Sequence, residues 1–208
     1  RQPATRWSTP HRGALIVDER ASSLAAMTAH GELWPAPTAS APVHGTVSVP
    51  GSKSASNRAL IIAALSDGPS TIHGLLDARD TQLMMAGLRL LGNDVHVVGH
   101  DPVGNASVAV TPHFMRGPAS IDVGLAGTVM RFLPPVATLA HGEISFAGDP
   151  HARRRPMATV IESLKDLGAE IEDRGRGTLP FTIQATGELT GGEVWVDASK
   201  SSQFISGL

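Results

Sequence analysis

The stretch Val43-His-Gly-Thr-Val-Ser-Val-Pro-Gly-Ser-Lys-Ser-Ala-Ser-Asn-Arg-Ala-Leu-Ile-Ile-Ala-Ala-Leu65 decides the fold. Apolar and polar residues alternate over His44–Val49, and this period of two predicts a β-strand. A Pro-Gly pair breaks the strand, and Ser56 or Asn57 is expected to cap the apolar helix that follows. A strand, a polar turn and a helix in this order indicate an α/β protein.

The same order of elements continues along the chain. The first round is completed by a predicted strand at Ser70–His73, a helix from Asp80 as its cap to Leu91, and strands at Asp94–Val98 and Ala106–Val110. The second round is predicted as a strand at Ile121–Val123, a helix through Val129 and Leu133, a strand at Glu143–Ala147, a helix from Pro156 to Leu167, and strands at Ala169–Glu172 and Pro180–Gln184. A third round begins with a predicted strand at Glu193–Asp197.

Matching turns support a repeated unit. Ser54, Thr128 and Ser202 each lie in the polar turn between a strand and a helix, at a constant interval of about 74 residues. Self-similarity at a fixed period is the sequence signature of a repeat architecture. The chain is therefore predicted to repeat a β-α-β-α-β-β unit.

Composition excludes several classes of protein. The 208 residues are 41% hydrophobic and 17% charged, with a net charge of −2 and no cysteine. Disorder, disulfides, iron–sulfur clusters and thiol catalysis are thereby excluded. A near-neutral chain has no broad footprint for nucleic acid, and no apolar run approaches the ~20 residues of a membrane span. The nine histidines form no helix pair suited to a metal, so no metal site is predicted.

The three predicted turns share one chemistry. Each puts small residues, hydroxyls and backbone N–H groups at a helix start, where an anion is favoured. Further candidate residues in these turns are Lys53 and Arg58 in the first turn, Gly127, Thr128 and Arg131 in the second, and Ser201, Ser202 and Gln203 in the third. In repeated units such turns lie on one edge, so they are expected to converge on one ligand with several anionic groups. The alternative is that these hydroxyl residues are ordinary helix caps.

Two further groups of charged residues stand out. In the turn Gly148–Pro156, Arg155 lies at a helix start and is predicted to hold a carboxylate or phosphate, whereas its two arginine neighbours are assigned to the surface. Asp77 and Asp80 could serve as acid and base. The simpler interpretation is that Asp80 caps a helix and Asp77 balances nearby cations.

Motifs in a fixed order give the chain a family resemblance. They are Pro50-Gly-Ser-Lys-Ser-Ala-Ser-Asn-Arg-Ala-Leu60, Leu75-Leu-Asp-Ala-Arg-Asp-Thr81, Gly124-Leu-Ala-Gly-Thr-Val-Met-Arg131, Gly148-Asp-Pro with Arg155-Pro156, and Ser201-Ser-Gln-Phe204. Over residues 34–208 the chain resembles the N-terminal part of the 3-phosphoshikimate 1-carboxyvinyltransferase (EPSP synthase) family. The resemblance implies an enolpyruvyltransferase of two domains, each with three β-α-β-α-β-β units. Residues 1–33 lie outside it and are expected to form a poorly ordered extension.

The resemblance implies a reaction and a set of substrate-binding residues. The family transfers the enolpyruvyl group of phosphoenolpyruvate to the 5-hydroxyl of shikimate 3-phosphate. By the resemblance, Lys53, Ser54 and Arg58 hold shikimate 3-phosphate, with Lys53 also near phosphoenolpyruvate. The remaining binding residues that it implies are Gly127 and Arg155 for phosphoenolpyruvate, Thr128 beside them, and Ser201, Ser202 and Gln203 for the shikimate moiety. Two departures are Leu125, where the family often has Asn, and the charged Lys200.

The resemblance also implies what the whole enzyme needs. The chain holds about two and a quarter of the family's six units, and the acidic catalytic groups are expected in the absent C-terminal domain. The 208 residues are therefore expected to be inactive alone, with Lys53 as a candidate contributor to catalysis. A cytoplasmic monomer without cofactor is implied. The rivals are UDP-N-acetylglucosamine 1-carboxyvinyltransferase, whose first turn typically reads Gly-Ala-Lys-Asn, and a non-catalytic anion-binding module.

Overall fold

A computed structural model describes residues 37–199 and 201–208. The expectations for residues 1–33 and for Lys200 lie outside this part of the chain. Two units are distinguished, Arg1–Thr46 and Val47–Leu208. The described residues of the first unit, 37–46, are exposed and contain neither helix nor strand.

The second unit contains helices and strands in the predicted alternation. The helices are α1 (Lys53–Ala64), α2 (Arg79–Leu90), α3 (Gly127–Ala137), α4 (Ala158–Asp166) and α5 (Gln203–Ser206), with one turn of 3-10 helix at Ala152–Arg154. The strands are β1 (Ser70–Leu75), β2 (Asp94–His100), β3 (Ala106–Thr111), β4 (Ala119–Asp122), β5 (His141–Ala147), β6 (Glu170–Glu172) and β7 (Phe181–Thr186).

The sheets confirm the predicted repeat. One sheet has the strand order β1-β3-β2 and the other β4-β5-β7-β6. The antiparallel pairs of β3 with β1 and β2 correspond to the antiparallel pairs of β7 with β5 and β6. Strand β4 adds a parallel neighbour to β5. The second round therefore forms the whole predicted β-α-β-α-β-β unit, and the first round forms the same unit without its opening strand.

The apolar periodicity of the helices and strands places one face of each in a shared core. Leu60 of α1, Leu88 of α2 and Leu133 of α3 are fully buried together with Phe146 of β5. Removing apolar surface from water contributes roughly 25 cal/mol per Å², which makes this burial the main force that holds the helices on the sheets. The core fixes where each helix begins, and the helix starts build the candidate site.

Two predicted strands are not formed. Residues of His44–Val49 and Glu193–Asp197 have no strand conformation, and the side chains of Val47, Val49 and Trp195 are 81%, 68% and 91% exposed. Alternation marks a potential apolar face, but a strand also needs a neighbour that accepts and donates its backbone hydrogen bonds. Within the described residues neither segment pairs with a strand of either sheet.

The predicted caps of the first two helices are wrong. Helix α1 begins at Lys53, and the Ser52 hydroxyl caps it by accepting a hydrogen bond from the Ala55 N–H at 3.4 Å. Ser56 and Asn57 lie inside the helix and are buried. Several hydroxyl and amide residues compete for the cap in this stretch, and packing against the core selects the earliest.

Helix α2 likewise begins before its predicted cap. It starts at Arg79, so Asp80 lies in its first turn rather than at its cap. The Thr81 hydroxyl accepts a hydrogen bond from the Ala78 N–H at 3.1 Å and thereby satisfies a backbone donor at the helix start. The Asp80 carboxylate is left available for another partner.

No helix in residues 37–199 and 201–208 combines the length and apolar character that crossing a bilayer demands. An apolar cavity of about 380 Å³ opens where α5 meets α1 and α3, lined by residues such as Ile62, Phe132 and Leu139. This cavity is separate from the polar one in which the candidate site lies.

Candidate functional site

A polar cavity of about 350 Å³ lies where helices α1, α2, α3 and α5 begin. Its lining residues are Lys53, Arg79, Asp80, Leu125, Gly127, Thr128, Arg155 and Gln203. The first N–H groups of a helix have no partner within the helix and point out of its start. Residues from distant parts of the chain therefore meet around a space that backbone donors and cationic side chains share.

The first turn is held in place by close backbone contacts. The Gly51 N–H donates a 2.7 Å hydrogen bond to the side-chain oxygen of Asn105. A Cβ atom at Gly51 would lie only 2.4 Å from the carbonyl oxygen of Gly74, so only glycine fits there. The turn is thus docked on the first sheet, and this docking sets the position of Lys53, the first residue of α1.

Lys53 forms an ion pair inside the cavity. Its Nζ lies 3.1 Å from Oδ2 of Asp80, and the two side chains are 55% and 23% exposed. Asp80 is a cavity residue that the sequence interpretation assigned to a cap. The pair keeps the ammonium group of Lys53 at the cavity wall, where an anionic ligand would meet it.

The second turn brings the start of α3 to the cavity. Gly127 is the first residue of α3, and the first turn of this helix contains no acidic residue. Thr128 is buried, and its hydroxyl accepts a hydrogen bond from the Asn57 amide of α1. A Cβ atom at Gly127 would lie 3.0 Å from Nη2 of Arg155 and 3.1 Å from Nη1 of Arg131. The backbone here stands close against two guanidinium groups, which is an arrangement suited to an anion.

Arg155 is the arginine of its turn that reaches the cavity. Its Nη1 donates a 2.9 Å hydrogen bond to the carbonyl oxygen of Leu125, which holds the side chain across the second turn. Leu125 thus lines the cavity through a side chain that is 44% exposed and uses its backbone to hold Arg155. Arg153 instead donates through Nε to the Gly148 carbonyl oxygen at 3.1 Å, and Arg154 contacts His151. Neither of these arginines lines the cavity.

Arg131 and Gln203 connect the second and third turns. Nη1 of Arg131 donates to the carbonyl oxygen of Gly127 at 3.3 Å and to Oε1 of Gln203 at 3.1 Å. Burial, and next the charge of Arg155, lower the pKa of the Arg131 guanidinium. Arg131 lies behind the cavity wall, whereas Gln203 is part of the wall.

Arg79 was not among the predicted site residues. It is the first residue of α2 and forms paired contacts with Asp149, at 2.9 Å from Nη1 to Oδ2 and 3.2 Å from Nη2 to Oδ1. A cation at a helix start is disfavoured by the helix dipole. An arginine at the start of a predicted helix was therefore the signal in the sequence that could have marked Arg79 as a site residue. The hydrogen bond that Arg79 donates to Asp149, and then the negative charge of Asp149, raise the pKa of Arg79.

Four of the predicted site residues do not line the polar cavity: Ser54, Arg58, Ser201 and Ser202. Arg58 donates to the Ser54 hydroxyl and, through Nη2, to the Ser206 hydroxyl at 3.0 Å, and its guanidinium lies 4.7 Å from the centre of the Phe132 ring. Ser201 accepts a 3.3 Å hydrogen bond from the Gln203 N–H. Ser54, Arg58 and Ser201 therefore form hydrogen bonds with residues of the first and third turns and of α5.

The two aspartates that were considered as an acid–base pair have separate partners. Asp77 accepts a 2.9 Å hydrogen bond from the Gln82 amide and contacts His100 at 3.2 Å, whereas Asp80 pairs with Lys53. The hydrogen bond from Gln82, and then that from His100, lower the pKa of Asp77. A carboxylate held in its charged form is poorly suited to donate a proton at neutral pH. Among the described residues, no group of three or more side chains is placed to hold a metal ion.

The α-β-α-β-β order that both rounds share and the polar cavity at the helix starts define the class: an α/β repeat protein with a cation-lined cavity whose chemistry suits an anion. The family model described as EPSP synthase (3-phosphoshikimate 1-carboxyvinyltransferase) matches residues 37–208. The chain therefore belongs to the EPSP synthase family.

Individual relatives agree with this assignment. The chain is 46% identical over 185 residues to a 3-phosphoshikimate 1-carboxyvinyltransferase of Kocuria rhizophila, covering 86% of this chain and 42% of the relative. It is 48% identical over 181 residues to one of Mycobacterium ulcerans, covering 85% and 40%. A solved EPSP synthase of Acinetobacter baumannii is similar with a TM-score of 0.68 at 28% identity, covering 78% of this chain and 36% of that one. The chain spans about two fifths of the length of the curated relatives it matches.

Proposed function

We propose that this chain is the N-terminal part of an enzyme that makes 5-enolpyruvylshikimate 3-phosphate and phosphate from shikimate 3-phosphate and phosphoenolpyruvate. The observation that carries the proposal is the meeting of Lys53, Gly127 and Arg155 at one cavity. The two substrates bear phosphate and carboxylate groups. A cavity with cations and helix-start N–H groups is complementary to such ligands.

The proposed roles are those that the family resemblance implies, and they are supported by the position of Lys53, Gly127, Arg155 and Gln203 at one cavity. Arg155 and the Gly127 backbone would hold phosphoenolpyruvate, and Gln203 would contact the shikimate moiety. By the resemblance Lys53 would lie between the two ligands, and its flexible side chain has its ammonium group at the cavity wall. The family resemblance also implies contacts with shikimate 3-phosphate for Ser54, Arg58, Ser201 and Ser202. These residues do not line the polar cavity, so these contacts are proposed from the resemblance alone.

In the proposed reaction the 5-hydroxyl oxygen of shikimate 3-phosphate bonds to C2 of phosphoenolpyruvate, the hydroxyl proton passes to a base, and C3 takes up a proton from an acid. The tetrahedral ketal phosphate then loses phosphate and a proton from C3, which leaves the enolpyruvyl ether. The cavity supplies charge stabilisation for the phosphate that leaves. Its one carboxylate, Asp80, is paired with Lys53. We therefore place the proton transfers on residues outside this chain and propose that the chain alone releases no phosphate.

A cytoplasmic location is proposed from the family resemblance, and a chain without cysteine is compatible with such a reducing compartment. A monomer is proposed from the family resemblance alone. No cofactor enters the proposed reaction, because the substrates themselves carry the leaving group and the electrons that form the new bond.

The test uses the full-length protein that carries this chain. We expect calorimetric binding of shikimate 3-phosphate, and phosphate release only when phosphoenolpyruvate is also present. UDP-N-acetylglucosamine is the matched control because it is the acceptor of the rival enolpyruvyltransferase. Turnover with UDP-N-acetylglucosamine in place of shikimate 3-phosphate would overturn the proposal, and binding of both anions without any turnover would favour the non-catalytic anion-binding module.

A further inference from the structure

Arg131 is a charged side chain that the proposed reaction leaves without a role. It projects from α3, one turn after Gly127, and is only 5% exposed. Its guanidinium spans the space between α3 and α5, where Nη1 donates to Gly127 and Gln203 and Cζ lies 5.2 Å from the centre of the Phe204 ring. The long cationic side chain of Arg131 is thus buried in the protein and does not extend into solvent.

The partners of Arg131 are weak compensation for a buried charge. In residues 37–199 and 201–208 it forms no ion pair with a carboxylate, and its Nε is buried without a hydrogen-bond partner. The nearby charge of Arg155 also disfavours the protonated form. Removing an unpaired charge from water is costly, and an apolar side chain of similar size would avoid that cost. The presence of arginine at position 131 therefore indicates that its guanidinium makes a contact that an apolar side chain could not make.

The hydrogen bond from Arg131 to Gln203 is such a contact. A guanidinium has hydrogen-bond donors and no acceptor, so a glutamine that contacts it must turn its amide oxygen toward it. Oε1 of Gln203 is the atom that accepts from Arg131. The amide nitrogen is then on the other side, and in the described part of the chain it has no hydrogen-bond partner, although Gln203 lines the polar cavity.

We propose that Arg131 is a positioning residue that fixes the side-chain amide of Gln203 so that its NH₂ group, a donor, faces the cavity. The inference rests on the proposed function, since it assigns how that same site recognises its ligand. The ligand atom at Gln203 must then be a hydrogen-bond acceptor, such as a phosphate or hydroxyl oxygen of shikimate 3-phosphate. Without Arg131 the amide would be free to turn its oxygen toward the anion, and the two acceptors would repel each other.

The first test is a double-mutant cycle in the full-length protein, with the dissociation constant of shikimate 3-phosphate measured by calorimetry. Arg131→Met and Gln203→Ala are each expected to weaken binding by about tenfold or more. Because Arg131 acts through Gln203, the double variant should bind no more weakly than Gln203→Ala. Arg131→Lys also carries only donors and should recover most of the affinity. Losses that multiply in the double variant would overturn the inference.

Gln203→Glu gives a sharper comparison. A carboxylate would satisfy Arg131 as well as the amide does, so the free energy of unfolding should be unchanged or higher. It offers only acceptors to the cavity, so this variant should bind shikimate 3-phosphate more weakly than Gln203→Ala. If Arg131 had only a structural role, Gln203→Glu would not combine unchanged or higher stability with weaker binding of shikimate 3-phosphate. Binding by Gln203→Glu that equals or exceeds that of Gln203→Ala would contradict the inference.

A measurement on the unaltered protein covers the case in which Arg131→Met does not fold. The NH₂ resonance of Gln203, assigned by its loss in Gln203→Ala, should shift when shikimate 3-phosphate is added. Inorganic phosphate is the second probe. Failure of the proposed function would be seen as no turnover, whereas failure of this inference would be seen in the Gln203 resonance, so the two failures can be told apart. A Gln203 resonance that neither probe moves would overturn the role of Arg131.

Discussion

The side-chain amide of Asn57 in α1 donates a hydrogen bond to the hydroxyl of Thr128 in α3. Both residues are buried, and 71 positions of the chain separate them. Asn57 lies one turn into α1 from Lys53, and Thr128 follows Gly127 directly. The bond therefore sets the distance between the two helix starts from which the polar cavity is built.

Thr128→Val should lower the free energy of unfolding by about 1–3 kcal/mol, because it removes the acceptor and leaves the buried amide of Asn57 without a partner. The measurement is urea denaturation of the 208-residue chain. The exposed Ser120 offers a matched control, and Ser120→Ala should change stability by no more than about 0.5 kcal/mol. Equal stability of the Thr128→Val and Ser120→Ala variants would show that the bond does not hold the two turns.

Arg155→Ala in the full-length protein should raise KM for phosphoenolpyruvate by about ten- to a hundredfold, since a hydrogen bond to a charged group is worth roughly 1.5–3 kcal/mol. Binding of shikimate 3-phosphate, followed by calorimetry, should change much less. Arg153 is the control, because it lies two residues away and does not line the cavity. If Arg153→Ala raised KM as much as Arg155→Ala, the wrong arginine would have been placed in the site.

Gly127→Ala should impair binding without unfolding the chain. The new methyl group would lie 3.0 Å from Nη2 of Arg155, and this flexible guanidinium would move away from the cavity to make room. We expect KM for phosphoenolpyruvate to rise by about tenfold, with little change in the urea midpoint.

Gly87→Ala is the control variant, in which stability should fall while KM for phosphoenolpyruvate stays nearly unchanged. Its methyl group would meet Cδ2 of the fully buried Leu133 at 2.4 Å, so it should cost about 1–3 kcal/mol of stability through overpacking and leave KM within about twofold. Loss of stability in Gly127→Ala comparable to that in Gly87→Ala would contradict the assignment of Gly127 to the site.

Much of the fold was predictable because helix and strand periods are local properties of the sequence. The order of elements, the repeat, and the presence of Lys53, Gly127 and Arg155 in polar turns required only the spacing of residues. Strand pairing was not predictable in this way. Val47 and Trp195 lie in alternating segments that resemble strands, yet both are exposed because no neighbouring strand pairs with them in the described part of the chain.

The cavity also depends on contacts that no local pattern reveals. The sequence placed Asp80 at a helix cap, and only the packing of α2 beside α1 brings it to Lys53. Arg131 was seen as one more cation of the second turn. Its burial and its contact with Gln203 follow from the docking of α5 on α3, which joins residues 72 positions apart.

Asp173→Asn should destabilise the chain in a pH-dependent way. The buried Asp173 carboxylate accepts hydrogen bonds from Lys165 at 2.9 Å and from the Gly177 N–H at 2.8 Å. The bond from Lys165, and then that from Gly177, lower the pKa of Asp173 below its ordinary value of 3.8. A lowered pKa in the folded state adds stability that is fully present above pH 3.8 and is lost as the pH falls through the folded-state value.

The difference between the unaltered chain and Asp173→Asn should therefore be about 1–3 kcal/mol at pH 7 and should narrow under acid conditions. Urea denaturation at several pH values measures it. Asp166→Asn, at an exposed position of α4, should show a much smaller difference. A gap between Asp173→Asn and the unaltered chain that widened on acidification would contradict the sign of this argument.

The polar cavity is assembled from separate segments around Lys53, Arg79, Gly127, Arg155 and Gln203, so it has no counterpart in the unfolded chain. A ligand that binds only the folded state adds about 2.7 kcal/mol to its stability when present at a hundred times its dissociation constant. Degradation by proteases acts mainly on transiently opened molecules. A ligand that occupies this cavity should therefore lengthen the lifetime of the protein in a cell, and the protein should be degraded faster when that ligand is scarce.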